Sequence, residues 1–376
     1  MLEKRMGKIW SIDWFVIGVT LVIALFGLFT MKTFNGADNF FNKQIIWIAI
    51  SVFVCIVASL TDFRFLKRTG ILVGIFLFSL CLLLALFVLG KVTNGALSWF
   101  HLGGFSFQPV DSMKLIVVLM LAKYFSRRHV QIAHVKHLFI SALYAFIPFI
   151  LVFLQPDFGS AIIIFCVWFG MILVSGLSRK HLIIVISIGL ASFLALWLFI
   201  FQPYQKARIL NFLNPASDIR KTGYNAYQSM VAVGSGQIFG KGIGYGTQSR
   251  LQFLPEYQTD FIFAAFAEEW GLVGSIILLF LYGLLIYRIL SYGMVGETNF
   301  EMLFGAGLAI LYMSHIIINI GMNIGVMPVT GITLPFMSYG GSHLVMEYLG
   351  LGILLSMRKY ARATHRDNMK NEFLGI

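Results

Sequence analysis

Residues 71–90 read ILVGIFLFSLCLLLALFVLG, a run without a single charged side chain. A helix of this length rises about 30 Å, which is the thickness of a bilayer's hydrocarbon core. Inside lipid a helix pairs its backbone N–H and C=O groups within itself. It therefore reads as a transmembrane helix. The pattern recurs on either side, at 13–31, 44–60, 138–154, 160–177, 182–201, 262–287 and 303–324, while 112–126 and 343–357 are shorter and more polar. The whole chain is 59% hydrophobic and 12% charged, whereas soluble domains carry about 25% charged residues. Its mean hydropathy is +0.85. The expectation is an all-α polytopic membrane protein, a bundle of about ten transmembrane helices forming one domain over residues 1–376.

The formal charge is +12. Lys and Arg lie in short clusters between the apolar runs rather than along one amphipathic face, which excludes a nucleic-acid partner and reads as topology. Arg64, Lys67 and Arg68, then Arg127, Arg128 and Lys136, then Arg179 and Lys180, then Arg288 fall on one side, together with the basic residues of the tail 358–376. That side is expected to be cytoplasmic and to hold both termini. The first run follows Lys4, Arg5 and Lys8 but lacks a small-residue cleavage site, so it reads as a retained anchor. A large extracytoplasmic loop, 202–261, is expected between the seventh and eighth spans. Cys55, Cys81 and Cys166 all lie within apolar runs and read as packing residues.

Under this topology every break in the hydropathy pattern falls on the outer side: 91–111, the turn Gln155-Pro156-Asp157, the loop 202–261, and 325–342. Such segments are tolerated near lipid where protein or a wet cavity satisfies their polar groups. Ionisable groups near span ends are costly and mark candidate function: Asp111, Lys114, Asp157, Asp260, Glu268, Glu269 and Glu347. Asp111 and Lys114, spaced i and i+3, share a helical face and form either an ion pair or part of a site. Asp260 immediately precedes the eighth span, where it serves either as a helix N-cap or as a catalytic carboxylate. The glycine-rich stretch 234–246, with Lys241 at its middle, either offers N–H groups to phosphate or serves turns and close packing. Arg208, Arg220, Lys221 and Lys241 give the loop a basic character suited to an anionic lipid or a diphosphate, or simply to solvent. His315 reads as a buried polar contact.

Four ordered motifs carry a resemblance. The stretch GKGIGYGTQSRLQFLPEYQTDFIFA from 240 onward is similar to the signature loop of the SEDS family (shape, elongation, division and sporulation), and its Gly-Thr-Gln-Ser portion is nearer the rod-shape branch, RodA, than the division branch, FtsW. Phe107-Gln108-Pro109 with Lys114, then Gln155-Pro156-Asp157-Phe158-Gly159, and then 327–342 resemble three further family motifs. Two positions depart from the pattern. Asp111 stands where the family usually has Glu, one methylene longer, and Ser98 stands where it commonly has Arg, although Trp99 is retained.

The resemblance implies a peptidoglycan glycosyltransferase that polymerises lipid II, a polyprenyl-diphosphate-linked disaccharide-peptide, into glycan strands outside the bacterial cytoplasmic membrane during elongation. Asp260 becomes the general base. Lys114, Arg208 and Lys241 are the candidates to steady the departing diphosphate, Glu256 to assist or bind metal, and Trp99 to contact substrate. Asp111 and Asp157 would hold a supporting charged network. A divalent cation, magnesium or manganese, and a class B penicillin-binding protein acting as transpeptidase are the implied cofactor and partner. A lipid-precursor flippase and a non-catalytic scaffold are the competing readings.

Overall fold

The computed structural model describes residues 13–32, 38–93, 96–102, 105–127, 135–214, 223–251, 253–296 and 298–374. Its elements are α1 (Trp14–Lys32), α2 (Asp38–Leu60), α3 (Thr69–Leu89), β1 (Lys91–Thr93), β2 (Ala96–Leu102), β3 (Phe105–Phe107), α4 (Pro109–Ser126), α5 (Val135–Leu154), α6 (Phe158–Val174) and α7 (Arg179–Ala195). They continue with α8 (Pro203–Leu213), α9 (Tyr224–Ser235), α10 (Thr247–Arg250), α11 (Ile262–Met294), α12 (Asn299–Asn323) and α13 (Gly341–Leu374). Among the described residues, seven helices are long and apolar enough to cross a membrane: Trp14–Lys32, Phe40–Leu60, Thr69–Leu89, Lys136–Leu154, Arg179–Ile200, Ile262–Met294 and Asn299–Asn323. The chain is a multi-pass helical membrane protein.

The two weak runs, 112–126 and 343–357, are polar for a structural reason. Helix α4 lies against α3, α5, α6, α12 and α13. Nearly all its residues are buried, Lys114 and Asp111 among them. A helix surrounded by protein needs no lipid-compatible surface, so its hydropathy falls below that of its neighbours. The first half of α13 packs closely on α2. Gly341 lies under the Trp47 indole and Gly352 against the Cys55 backbone, positions at which a Cβ would come within 3 Å of the partner. Cys55 is buried in that seam, in keeping with a packing role.

Two parts of the architecture differ from the sequence expectation. Strands β1, β2 and β3 form a three-stranded antiparallel sheet in the order β1-β2-β3, with Lys91 opposite Trp99 and Phe100 opposite Phe107. The bundle itself is all-α, with this small sheet joined to it. Hairpin strands pair their own backbone, and this serves where a chain must turn back at the edge of the membrane. The described residues of the long loop 202–261 also contain three helices, α8, α9 and α10. The flanking polar residues lower its mean hydropathy, which hides these short helices from a hydropathy reading.

Candidate active site at one end of the bundle

The turn before α11 is fixed from two directions. From α12, Asn319 donates through Nδ2 to the Asp260 carbonyl at 2.9 Å and to the Ile332 carbonyl at 2.6 Å, and Asn323 Nδ2 donates to the same Asp260 oxygen at 3.0 Å. From the segment 332–339, Ser338 Oγ donates to the Thr259 carbonyl at 2.7 Å, and the Tyr339 N–H donates to the Gln258 carbonyl at 2.8 Å. That segment is itself held hard. Phe336 adopts a φ of 61°, its N–H donates to Glu347 Oε2 at 2.8 Å, and its ring meets Tyr312 and Tyr348 edge-on. A bulky residue keeps a left-handed backbone only where surrounding contacts over-determine it.

Asp260 does not cap α11. The residue before the helix is Phe261, which makes no side-chain cap bond, and the helix's third N–H, that of Ala264, goes to Asn323 Oδ1 at 3.1 Å. The capping duty has passed to a neighbouring helix, and the Asp260 carboxyl points instead into the space beside Gly331, where a Cβ would lie 3.5 Å from Oδ2.

Burial, reinforced by the Glu256 carboxylate, pushes Asp260 up to about 7; Asp157 acts in the same direction, while Arg208 and the Thr259 hydroxyl pull it back. A carboxyl poised near neutrality is the environment that general acid–base chemistry requires. Glu256 is tied to the same turn, accepting from Thr259 Oγ1 through Oε2 at 3.1 Å. Arg208 is exposed on α8. Asp157 is an N-cap: Oδ1 accepts from the Ser160 N–H at 3.0 Å, and Oδ2 accepts from Gln108 Nε2 at 3.3 Å. Asp260, Glu256, Asp157 and Arg208 thus form one electrostatic group.

Asp111 and Lys114 form a second group, adjoining the first through Gln108. The Gln108 N–H donates to Ser342 Oγ at 3.2 Å, and the next residue, His343, lies with Nδ1 3.4 Å from Asp111 Oδ1 and Nε2 2.8 Å from Glu347 Oε1. Lys114 Nζ pairs with Asp111 Oδ1 at 3.2 Å. These residues and His315 line a cavity of about 20 Å³, room for a single water. His315 Nδ1 contacts the Thr333 carbonyl at 3.2 Å, a buried polar contact as expected. The ammonium of Lys114 is engaged with a buried carboxylate rather than open to solvent.

Lys241 stands in a third place. Its Nζ reaches Glu268 Oε1 and Thr247 Oγ1, each at 2.8 Å. Around it the glycine-rich stretch spends its N–H groups on the protein: Lys241 and Gly242 donate to the Glu268 and Glu269 carbonyls, Gly244 to Glu269 Oε1, and Thr247 and Gln248 to Glu268 Oε1. These bonds fit the reading of turns and close packing. Trp99 sits on β2, which leads through β3 and Gln108 into α4. Ser98 is buried. Arg220 and Lys221 lie outside the described residues.

Sequence reasoning passed over Asn319, Asn323, Ser338 and His343. The spacing held a signal: Asn319 with Asn323 and His343 with Glu347 are both i, i+4 pairs, each placing two polar groups on one face of an otherwise apolar helix. For the expected divalent cation, no cluster of three or more His, Cys, Asp or Glu suited to a metal occurs among the described residues.

The fold and these contacts define a multi-pass helical membrane protein with a pinned, carboxyl-bearing turn at one end of its bundle. A family model described as a cell cycle protein, FTSW_RODA_SPOVE, matches residues 5–363. The Escherichia coli K12 protein named peptidoglycan glycosyltransferase MrdB is 36% identical over 349 residues, covering 93% of this chain and 92% of its own length. Stage V sporulation protein E of Bacillus subtilis 168 is 33% identical over 347 residues, covering 92% and 94%. Among solved structures, a chain of a peptidoglycan synthase complex that coordinates polymerization and crosslinking superposes with a TM-score of 0.80 at 31% identity, covering 93% of this chain and 98% of that one. The Thermus thermophilus rod shape determining protein RodA superposes at 0.69 with 30% identity, covering 92% and 97%. The chain belongs to the FtsW/RodA/SpoVE family.

Proposed function

We propose that this protein is a peptidoglycan glycosyltransferase that polymerises lipid II into glycan strands during cell elongation, with Asp260 as general base. The observation that carries the reading is the pinned Asp260 turn, with its carboxyl raised to about 7 and free of capping duty. A sugar hydroxyl is a poor nucleophile at neutral pH. The Asp260 carboxylate takes its proton as the hydroxyl oxygen attacks the anomeric carbon of the donor, and general-base help of this kind is worth roughly 10²- to 10⁴-fold. The bond from that carbon to the diphosphate oxygen breaks, its electron pair leaves with the polyprenyl diphosphate, and a single displacement inverts the anomeric centre. Arg208 is the cation placed beside the carboxylates to offset the leaving group's charge. The Asp111–Lys114–His343–Glu347 group supports the floor of the site.

The topology follows the charge pattern: ten spans, with α4, α6 and the first half of α13 added to the seven apolar helices, both termini cytoplasmic, and Asp260 at the extracytoplasmic end. The partner is a class B penicillin-binding protein supplying transpeptidation. The site candidates Asp260, Glu256, Asp157, Asp111 and Lys114 gather at one end of the bundle, while Lys67–Glu301 and Arg358–Asp13 at the other end are closed salt bridges; candidates confined to one end favour a polymerase over a flippase, whose pathway needs open polar groups at both ends. The deciding experiment supplies purified protein with its partner, lipid II and magnesium or manganese, and follows glycan polymer on gels with and without chelator. Wild type is expected to polymerise, and Asp260→Ala is not. A folded, partner-bound Asp260→Ala protein that polymerises at the wild-type rate would refute the assignment.

A further inference from the structure

Helix α11 is broken at Gly271, whose backbone stands at φ 64° and ψ −161°. A break of this kind in a membrane helix strands carbonyls before it and N–H groups after it, and lipid satisfies neither. The chain repairs the break with a distant segment. The Lys241 and Gly242 N–H groups donate to the Glu268 and Glu269 carbonyls, each at 3.0 Å, while Leu272 and Val273 donate to the Gln237 and Ile238 carbonyls at 2.9 and 3.1 Å. Residues 237–242 are thus spliced into the wall of the helix. Within the turn, Gly240 donates to the Gly236 carbonyl at 2.8 Å and Tyr245 to the Gly242 carbonyl at 3.1 Å.

What the turn shows to its surroundings is apolar. Between 238 and 245 the exposed residues are Ile238, Phe239, Ile243 and Tyr245, with Phe239 82% exposed. The charged member, Lys241, folds back onto Glu268. Beside this tip run Leu272 and Phe280, both exposed on the outer face of α11, a helix apolar enough to span the membrane. The exposed apolar tip and the lipid-facing stripe of α11 form one continuous surface, joined at the 237–238 to 272–273 hydrogen bonds.

We infer that residues 238–245 are a wedge seated in the bilayer, with lipid acyl chains as the occupant of its exposed face. Non-helical backbone is admissible at that depth where protein supplies its hydrogen bonds, and here the broken helix and the Glu269 carboxylate pair the N–H groups of Lys241, Gly242 and Gly244 and the carbonyls of Gln237 and Ile238. Tyr245 suits the interfacial rim, and Phe239 suits the deeper tip. The wedge moors the glycine-rich segment to the membrane, and the Lys241–Glu268 brace carries that anchorage into the half-helix that follows Asp260.

The inference is tested by collision accessibility of a spin label, which does not depend on the activity proposed above. In a chain with Cys55, Cys81 and Cys166 replaced by Ser, a label is attached at Phe239→Cys, or at Ile243→Cys as a second position. The protein is reconstituted alone into phosphatidylcholine–phosphatidylglycerol vesicles. Phe280→Cys serves as the lipid-facing reference and free label in buffer as the aqueous one. Both tip labels are expected to collide with oxygen more than with a water-soluble nickel chelate, as at position 280. A nickel accessibility approaching that of the free label would overturn the inference. So would a label screened from both reagents, which would mean that protein, such as a second copy of this chain, covers the tip.

Discussion

Asn323 grips both sides of the Asp260 turn: its Nδ2 donates to the Asp260 carbonyl at 3.0 Å, while its Oδ1 accepts the Ala264 N–H at 3.1 Å. One side chain thereby sets the start of α11 and the position of the carboxylate that precedes it. Asn323→Asp keeps the acceptor and loses the donor. The expected result is a thermal stability lower by roughly 1–3 kcal/mol, the cost of an impaired buried hydrogen bond, with the pH midpoint of polymerisation moved upward by the added negative charge. Calorimetry and a pH–rate profile of the same preparation check both.

The raised value of Asp260 sets the pH dependence. A general base works deprotonated, so activity should climb through about pH 7 and level off above it. Glu256 is the strongest of the charges holding that value up. Glu256→Gln should slide the rising limb toward lower pH, so that the fraction of maximal rate retained at pH 6 increases. An unmoved limb would mean that another group controls the profile.

Asp260 also carries a stability cost of known sign. Its folded value lies above its unfolded one, so folding loses stability as pH rises from about 4 to about 7, and the full cost persists above that. Asp260→Asn should therefore lose polymerisation by a factor of roughly 10² or more, yet melt higher than wild type at pH 8 by the equivalent of roughly 1–3 kcal/mol once solvent screening is discounted. The advantage should shrink toward pH 4. Thermal melts across that range in detergent read it directly.

Lys241 separates a brace from a ligand. Glu268 is buried and receives the Lys241 ammonium together with the Thr247 and Gln248 N–H groups. Glu268→Ala should be severely destabilising, by about 3–5 kcal/mol, because it leaves those donors unpaired. Lys241→Met should also lower the melting temperature, and the double variant should cost less than the sum of the singles. A phosphate-binding lysine would behave differently, with its substitution raising KM and leaving the melt unchanged.

Arg208 offers the opposite signature. It is exposed on α8 and acts on Asp260 through space. Arg208→Ala should leave the melting curve unchanged, lower kcat by about 10- to 100-fold, and shift the pH limb upward as the carboxyl loses its favourable cation.

Much of this protein is written in local composition. Runs such as 71–90 are membrane helices because twenty apolar residues have no better solvent, and the helix that forms there, Thr69–Leu89, matches the run to within two residues. Asp260 and Asp157 are identifiable as charges beside apolar runs, where ionised groups are too costly to keep without a use, and Arg208 as one of the basic residues of the long loop. Local composition does not say what each charge faces. Lys114 and Lys241 have the same formal charge as Arg208, but tertiary contacts pair the first with Asp111 and the second with Glu268 and leave the third exposed. The capping of α11 moved from Asp260 to Asn323, some sixty residues away, because hydrogen-bond donors and acceptors are satisfied by whichever group packing brings within 3 Å. The sequence by itself determined which segments enter the membrane and which residue types gather at its edge; only the folded chain decided which of those charges are neutralised and which remain to act, since that depends on distances between helices remote in sequence.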